Sequence, residues 1–122
     1  MDNELTGLII GLAIEVHRAL GPGLLESAYE EALSFELHSH GLNFKRQHTL
    51  PLAYKGNTLN CHFLLDLVVE NQVILELKSV ERLLAIHQAQ LLTYLKLAKI
   101  PIGLLINFNE VVLKQGIKRL VI

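Results

Sequence analysis

Two acidic residues and a lysine in the middle of the chain are spaced so that they could act together. Asp66 lies inside the apolar run Phe63–Val69. Glu76 and Lys78 lie in the next apolar run, Val73–Val80. Alternate residues of a strand point to one face, so Glu76 and Lys78 are expected on the same face, about 6–7 Å apart. A solvent-facing strand end would have the same pattern, so this run alone leaves both interpretations open.

The segment between the two runs predicts that the acids face each other. If Glu70-Asn71-Gln72 is a three-residue hairpin loop closed by Val69 and Val73, continued pairing places Asp66 opposite Glu76. Like charges that face each other across strands repel and destabilise the sheet unless something neutralises them. Mg²⁺ would do so, because it favours one or two carboxylates together with water and phosphate oxygens. An error of one residue in the loop would turn Asp66 to the other face.

The surrounding pattern predicts an α/β fold with the order α-α-β-β-β-α-β. Apolar residues at helical spacing, ended by glycine and proline, predict the helices. β-type residues between turn signals predict the strands, and Pro51 marks the first strand as an edge. The predicted elements are helices over Leu5–Leu20, Leu25–Leu37 and Ala85–Ala98, and strands over Phe44–Leu52, Thr58–Val69, Val73–Val80, Ile102–Asn107 and Ile117–Ile122.

Composition limits the class of protein. The chain has 122 residues, of which 51% are hydrophobic and 19% charged, with a formal net charge of −1. These values predict one globular domain over residues 1–122 and argue against binding nucleic acid by bulk positive charge. The sequence shows no membrane span, and an acidic start predicts a cytoplasmic address. Cys61 is expected to be a small buried residue, and the high apolar fraction makes a homodimer plausible.

Other kinds of site lack the residues that they need. The six histidines do not have the spacing of a zinc site. Gly21-Pro22-Gly23 lacks the Gly-Lys-Ser/Thr ending of a phosphate-binding loop. Cys61 has neither a CxxC partner nor a clear histidine base, so a thiol enzyme is unsupported.

Several blocks of the sequence resemble a known family. Asp66, nine further residues and then Glu76-Leu77-Lys78 resemble the core signature of the PD-(D/E)xK nuclease superfamily. Gly23–Tyr29 resembles the G-x-x-E-x-x-Y motif of the GxxExxY family within it. The neighbouring blocks that also match are Glu15–Gly23, Ala89–Lys96 and Gly103–Phe108. The likeness extends from about Leu5 to the C-terminus and implies a restriction-endonuclease-like core, with a mixed sheet flanked by helices.

The resemblance implies a metal site and a reaction. Asp66, Glu76 and the backbone carbonyl of Leu77 would bind Mg²⁺ or Mn²⁺. Glu26 would reach the same metal from the helix before the sheet. Lys78 would position or activate the water that hydrolyses a phosphodiester bond. The implied substrate is nucleic acid, with DNA favoured over RNA.

The helix after the Glu-x-Lys strand supplies two further matches. Gln90 and Tyr94 resemble a Q-x-x-x-Y pair of exonuclease-like branches and are expected on the wall of the site opposite Glu26. The chain departs from the family pattern at Leu64, where an arginine is frequent, and the loss of that positive charge predicts weaker affinity for nucleic acid. The site acids themselves are intact.

The same residues also have purely structural interpretations. A carboxylate in the first turn of a helix, such as Glu26, interacts favourably with the helix dipole. Gln90 and Tyr94, four residues apart, have the spacing of an ordinary hydrogen-bonded pair at the edge of a core. The leading hypothesis is a divalent-metal-dependent nuclease. The alternative is a non-catalytic partner-binding or assembly module on the same fold.

Overall fold

A five-stranded mixed sheet lies between two helices on one face and one helix on the other. The computed structural model describes residues 3–122. The elements are α1 (Asn3–Leu20), α2 (Glu26–Ser39), β1 (Phe44–Tyr54), β2 (Asn57–Val69), β3 (Val73–Lys78), α3 (Ala85–Ala98), β4 (Ile102–Asn107), a 3₁₀ turn (Leu113–Gly116) and β5 (Ile117–Val121). The strand order is β1-β2-β3-β4-β5, in which β3 and β4 are parallel and the other neighbours antiparallel.

The core is divided into two layers by the sheet. Helices α1 and α2 pack on one face, where their apolar residues meet those of β2, β3 and β4. Helix α3 packs on the other face through Leu91, Tyr94 and Leu95. Every residue of β4 is buried, as expected for a strand covered on both faces. Among residues 3–122, no helix is both long enough and apolar enough to cross a membrane.

The predicted order of elements is confirmed, and α3 and β4 have the predicted bounds. Strand β1 is at the edge of the sheet, as Pro51 indicates. Strand β3 ends at Lys78 instead of Val80. The reason is that the buried Asn107 side chain binds both backbone groups of Val80, accepting from its N–H at 3.0 Å and donating to its carbonyl at 2.9 Å. Those groups are therefore not available to continue a strand ladder.

The alternation of β2 is broken at Asp66. Regular alternation predicts that Leu65 and Leu67 share a face, but Leu65 packs in the α3 layer with Val68, whereas Leu67 packs under α1 and α2. Gln47 lies across from Asp66 on β1 and has a left-handed backbone, with φ of 46°. A local distortion of this kind re-aims side chains, which is common beside functional sites.

The β1–β2 hairpin extends beyond the two helical layers. The first eight residues of β2 are exposed, and so is most of β1 after Leu50. Cys61 lies in this part and is exposed, so the prediction of a buried cysteine was wrong. The apolar residues near Cys61 resemble a core strand in sequence, but the segment from Asn57 to Leu64 is exposed.

The loop between α1 and α2 is fixed by Tyr29. Gly21 and Gly23 have positive φ angles of 74° and 93°, which a glycine adopts without strain. The Tyr29 hydroxyl donates to the Gly21 carbonyl at 2.6 Å and accepts from the Leu24 N–H at 3.1 Å. Its ring stacks on Phe108, with 4.4 Å between ring centroids. The start of α2 is thereby held against the end of β4.

We expect Tyr29→Phe to lower the free energy of unfolding by about 1–3 kcal/mol, since two backbone groups lose their partner. Urea denaturation measures the change. Tyr54→Phe is the matched control, because the Tyr54 side chain is 61% exposed and its substitution is expected to change stability by less than about 0.5 kcal/mol. Equal effects of the two substitutions would contradict a structural role for the Tyr29 hydroxyl.

Candidate functional site

Asp66 and Glu76 lie side by side where β2 and β3 separate. The predicted pairing is confirmed for Val69 with Val73, Val68 with Ile74 and Leu67 with Leu75. The next predicted backbone pair, Asp66 with Glu76, is absent from the ladder. The carboxylates take its place, because the Asp66 N–H donates to Glu76 Oε2 at 3.0 Å and the Leu77 N–H donates to Asp66 Oδ2 at 2.8 Å. Each acid therefore binds the backbone of the other strand.

Burial makes these acids hard to ionise. Burial, together with the neighbouring Asp66 carboxylate, raises the pKa of Glu76 to about 8. Burial also raises the pKa of Asp66, against the opposing effects of the Leu77 N–H and the Gln47 amide. Without a cation nearby, the pair therefore retains a proton near neutral pH.

Lys78 and Glu26 lie within electrostatic range of the pair. The charge of Lys78, which is partly buried at the end of β3, lowers the pKa of Glu76. Glu26 is the first residue of α2 and is exposed, and its charge raises the pKa of both Asp66 and Glu76. Within residues 3–122, no three His, Cys, Asp or Glu side chains are grouped closely enough to hold a metal ion. A direct metal contact by Glu26 stays a prediction.

Helix α3 contributes the residues on the other side of the site. Tyr94 is buried, and burial followed by the charges of Glu76 and Asp66 raises its pKa. The Gln90 side chain interacts with the Tyr94 hydroxyl and lowers that pKa. The Tyr94 ring also contacts Phe63 of β2, with 5.5 Å between ring centroids. The structure thus brings Tyr94 to the acids, with Gln90 beside it.

Three residues near the site had not been predicted from the sequence. The Gln47 amide donates to Glu30 Oε1 at 2.6 Å and, more weakly, to Asp66 Oδ1 at 3.4 Å. Arg46 binds the same Glu30 at 3.0 Å. Glu30 is four residues after Glu26, which puts both acids on one face of α2. That spacing could have indicated that Glu30 lies near the site. Nothing in the sequence of β1 indicated the left-handed backbone that turns Gln47 to this position.

The comparison with protein families identifies the chain. The family model of the PD-(D/E)XK nuclease superfamily matches residues 3–120. The chain belongs to this superfamily. Its five-stranded mixed sheet flanked by helices is consistent with the restriction-endonuclease-like fold. Membership of the GxxExxY family stays a prediction. The searches of curated proteins and of solved structures gave no match.

The raised pKa of Glu76 predicts a pH dependence of stability in metal-free solution. The native state binds more protons than the unfolded chain between the ordinary pKa of 4.5 and the folded value of about 8. The contribution of Glu76 to the free energy of unfolding is therefore complete below its ordinary pKa of 4.5, and it is lost as the pH rises through the folded pKa of about 8. The loss is at most about 1.4 kcal/mol per pH unit.

Urea denaturation in EDTA across this pH range measures the effect. Because other groups also titrate, the quantity to compare is the difference between the wild type and Glu76→Gln. We expect the wild type to lose more stability than the variant as the pH rises. Parallel profiles for the two proteins would contradict the assignment.

Proposed function

We propose that this chain is a divalent-metal-dependent phosphodiester hydrolase that acts on nucleic acid, with DNA favoured. The observation that carries the proposal is the pair Asp66 and Glu76, held between two separating strands with Lys78 two residues further along β3. Membership of a nuclease superfamily supports a nucleic-acid substrate. The proposal extends to the GxxExxY family, to a single domain over residues 1–122 and to a cytoplasmic homodimer.

The donor atoms fit a hard divalent cation. Nucleases of this superfamily generally use divalent metals, and two carboxylates are the ligands that Mg²⁺ and Mn²⁺ prefer in proteins. A cation beside Glu76 would favour its charged form, which burial opposes. We assign Asp66, Glu76, the Leu77 carbonyl and Glu26 as the residues that would hold the ion. A bound ion would act as a Lewis acid on the phosphoryl group and lower the pKa of a water molecule.

The side chains of the chain itself would orient the reacting groups. The Lys78 ammonium has three donors, which suit a non-bridging phosphate oxygen and the attacking water. Its positive charge would also stabilise the negative charge that develops on the phosphoryl oxygens. The Tyr94 hydroxyl, held by Gln90, would donate a hydrogen bond from the α3 side. The raised pKa of Tyr94 keeps that hydroxyl protonated and able to donate.

A non-catalytic module on the same fold is the second candidate. The formal net charge of −1 and the exposed Leu64, where an arginine is frequent in the family, both weaken phosphate binding. On that account the site would bind no metal, and the exposed β1–β2 hairpin would serve a partner protein. Metal binding at Asp66 and Glu76 separates the two candidates.

We expect Asp66→Asn to leave the metal-free protein equally stable or more stable. The substitution removes a charged group that burial disfavours beside Glu76, and the amide oxygen can still accept from the Leu77 N–H. With saturating Mn²⁺, at about 100 times Kd, the wild type should gain roughly 2.7 kcal/mol and the variant little. Thermal melts with and without Mn²⁺ measure both effects, and Glu4→Gln, an exposed acid on α1, is the control. An Asp66→Asn variant that melts much earlier without metal would favour the module.

Lys78→Ala tests the reaction separately from metal binding. We expect it to reduce Mn²⁺-dependent cleavage of DNA by at least about 100-fold, the range seen when one positioned catalytic group is removed. The Mn²⁺-dependent stabilisation should persist, since the carboxylates are unchanged. Lys118→Ala, an exposed lysine on β5, is the control and should cleave normally. Equal cleavage by both variants would contradict the role of Lys78.

A further inference from the structure

An open cavity of about 250 Å³ adjoins the candidate site between β2 and α3. Its lining residues are contributed by these two elements and are Phe63, Ile86, Ala89, Gln90, Thr93 and Tyr94. Two of them, Gln90 and Tyr94, also form the α3 side of the site that contains Asp66 and Glu76. The cavity therefore borders the place where the proposed reaction occurs.

The lining selects for a neutral and planar group. None of the lining side chains carries a charge at neutral pH, so the cavity is unsuited to a phosphate. The rings of Phe63 and Tyr94 lie close together at a tilt of 44°, and Phe63 is 38% exposed. The volume of the cavity, about 250 Å³, is just below the roughly 300–1,000 Å³ of cavities that bind drug-sized ligands. A cavity of this volume suits one heterocyclic ring system.

Polar groups on α3 complete the match to a nucleobase. Gln90 has both a donor and an acceptor on its amide. The Thr93 hydroxyl donates to the Ala89 carbonyl at 3.1 Å, so its oxygen remains able to accept. The edge of a base offers the complementary donors and acceptors, and its faces stack on aromatic rings.

Charge also favours contact with bases over contact with the phosphate backbone alone. A chain with a formal net charge of −1 gains little affinity from neutralising phosphates. A large exposed apolar side chain lines the cavity instead, since Ile86 is 66% exposed. A base inside a duplex is stacked on both faces and cannot enter, whereas an unpaired base can.

We propose that this cavity is a subsite for one unpaired nucleobase, which makes single-stranded nucleic acid the preferred ligand. The inference rests on the proposed function, because it takes nucleic acid as the substrate of the adjoining site. Phe63 supplies the stacking surface, and Gln90 and Thr93 contact the edge of the base. The bound base would place the neighbouring phosphate towards Asp66 and Glu76.

Binding of short fluorescent strands tests the subsite. The probes are a single-stranded thymidine oligonucleotide, a strand of equal length without bases, and a duplex. Fluorescence anisotropy is measured with the full chain in Ca²⁺, and gel analysis checks that the probes stay intact. We expect the wild type to bind the thymidine strand about tenfold more tightly than the strand without bases, and more tightly than the duplex.

Phe63→Leu tests the stacking surface. It should weaken binding of the thymidine strand by about tenfold and leave binding of the strand without bases unchanged. Tyr54→Leu is the matched control, because Tyr54 is an exposed aromatic of the same hairpin, roughly 20 Å away along the strands, and should bind like the wild type. Ile86→Ala, an exposed position in the same lining, gives a second variant with little risk to folding.

Each outcome supports or overturns the subsite. Equal affinity of the wild type for strands with and without bases overturns it, as does an equal effect of Phe63→Leu on both. Failure to bind any strand overturns it as well. A cleavage assay on the same preparation separates this from the proposed function. Cleavage without base-dependent binding contradicts only the subsite, whereas base-dependent binding without cleavage contradicts only the hydrolase.

Discussion

A buried carboxylate, Glu76, and a half-buried one, Asp66, are inserted between β2 and β3 and are the constraint on which the rest of the structure depends. Asp66 and Glu76 each accept a backbone N–H from the opposite strand, so the acids replace backbone pairing where the strands part. Two like charges in a buried position are unfavourable unless a proton or a cation compensates them. The raised pKa of Glu76 expresses that unfavourable state, and a divalent cation would relieve it. Stability in the absence of metal thus favours a protonated pair, whereas the proposed function requires both carboxylates to be charged.

The elements around the pair account for its position. Asn107 fixes Val80 after β3, and the Lys78 carbonyl accepts from the Phe108 N–H at 2.8 Å, which holds the end of β3 beside β4. Tyr29 and its two glycines set the start of α2, from which Glu26 reaches the acids electrostatically. In the segment Gly23–Tyr29, which resembles the G-x-x-E-x-x-Y motif, the glycine and the tyrosine are therefore structural. Glu26 is the residue of this segment that has a chemical role in the proposal.

The sequence was sufficient for the order of elements and for the pairing of Val69 with Val73, because both follow from hydrophobic periodicity and a three-residue turn. It was also sufficient to bring Asp66 near Glu76. The sequence did not predict the left-handed backbone of Gln47 or the layer in which Leu65 packs. At both positions the backbone departs from the regular alternation of a strand, and local sequence does not encode that departure. Cys61 was misjudged because the exposed part of β2 contains apolar residues, like a core strand. The family resemblance, not the spacing, selected Glu26 and Tyr94.

Crystallography of the protein soaked in Mn²⁺ tests the central claim most directly. Data collected at the manganese absorption edge locate the ion by its anomalous scattering. The account predicts one anomalous peak within about 2.0–2.2 Å of carboxylate oxygens of both Asp66 and Glu76, the range of short metal–oxygen bonds. Crystals of Asp66→Asn, treated in the same way, should lack the peak. Wild-type crystals with no anomalous peak between the two acids would contradict the account.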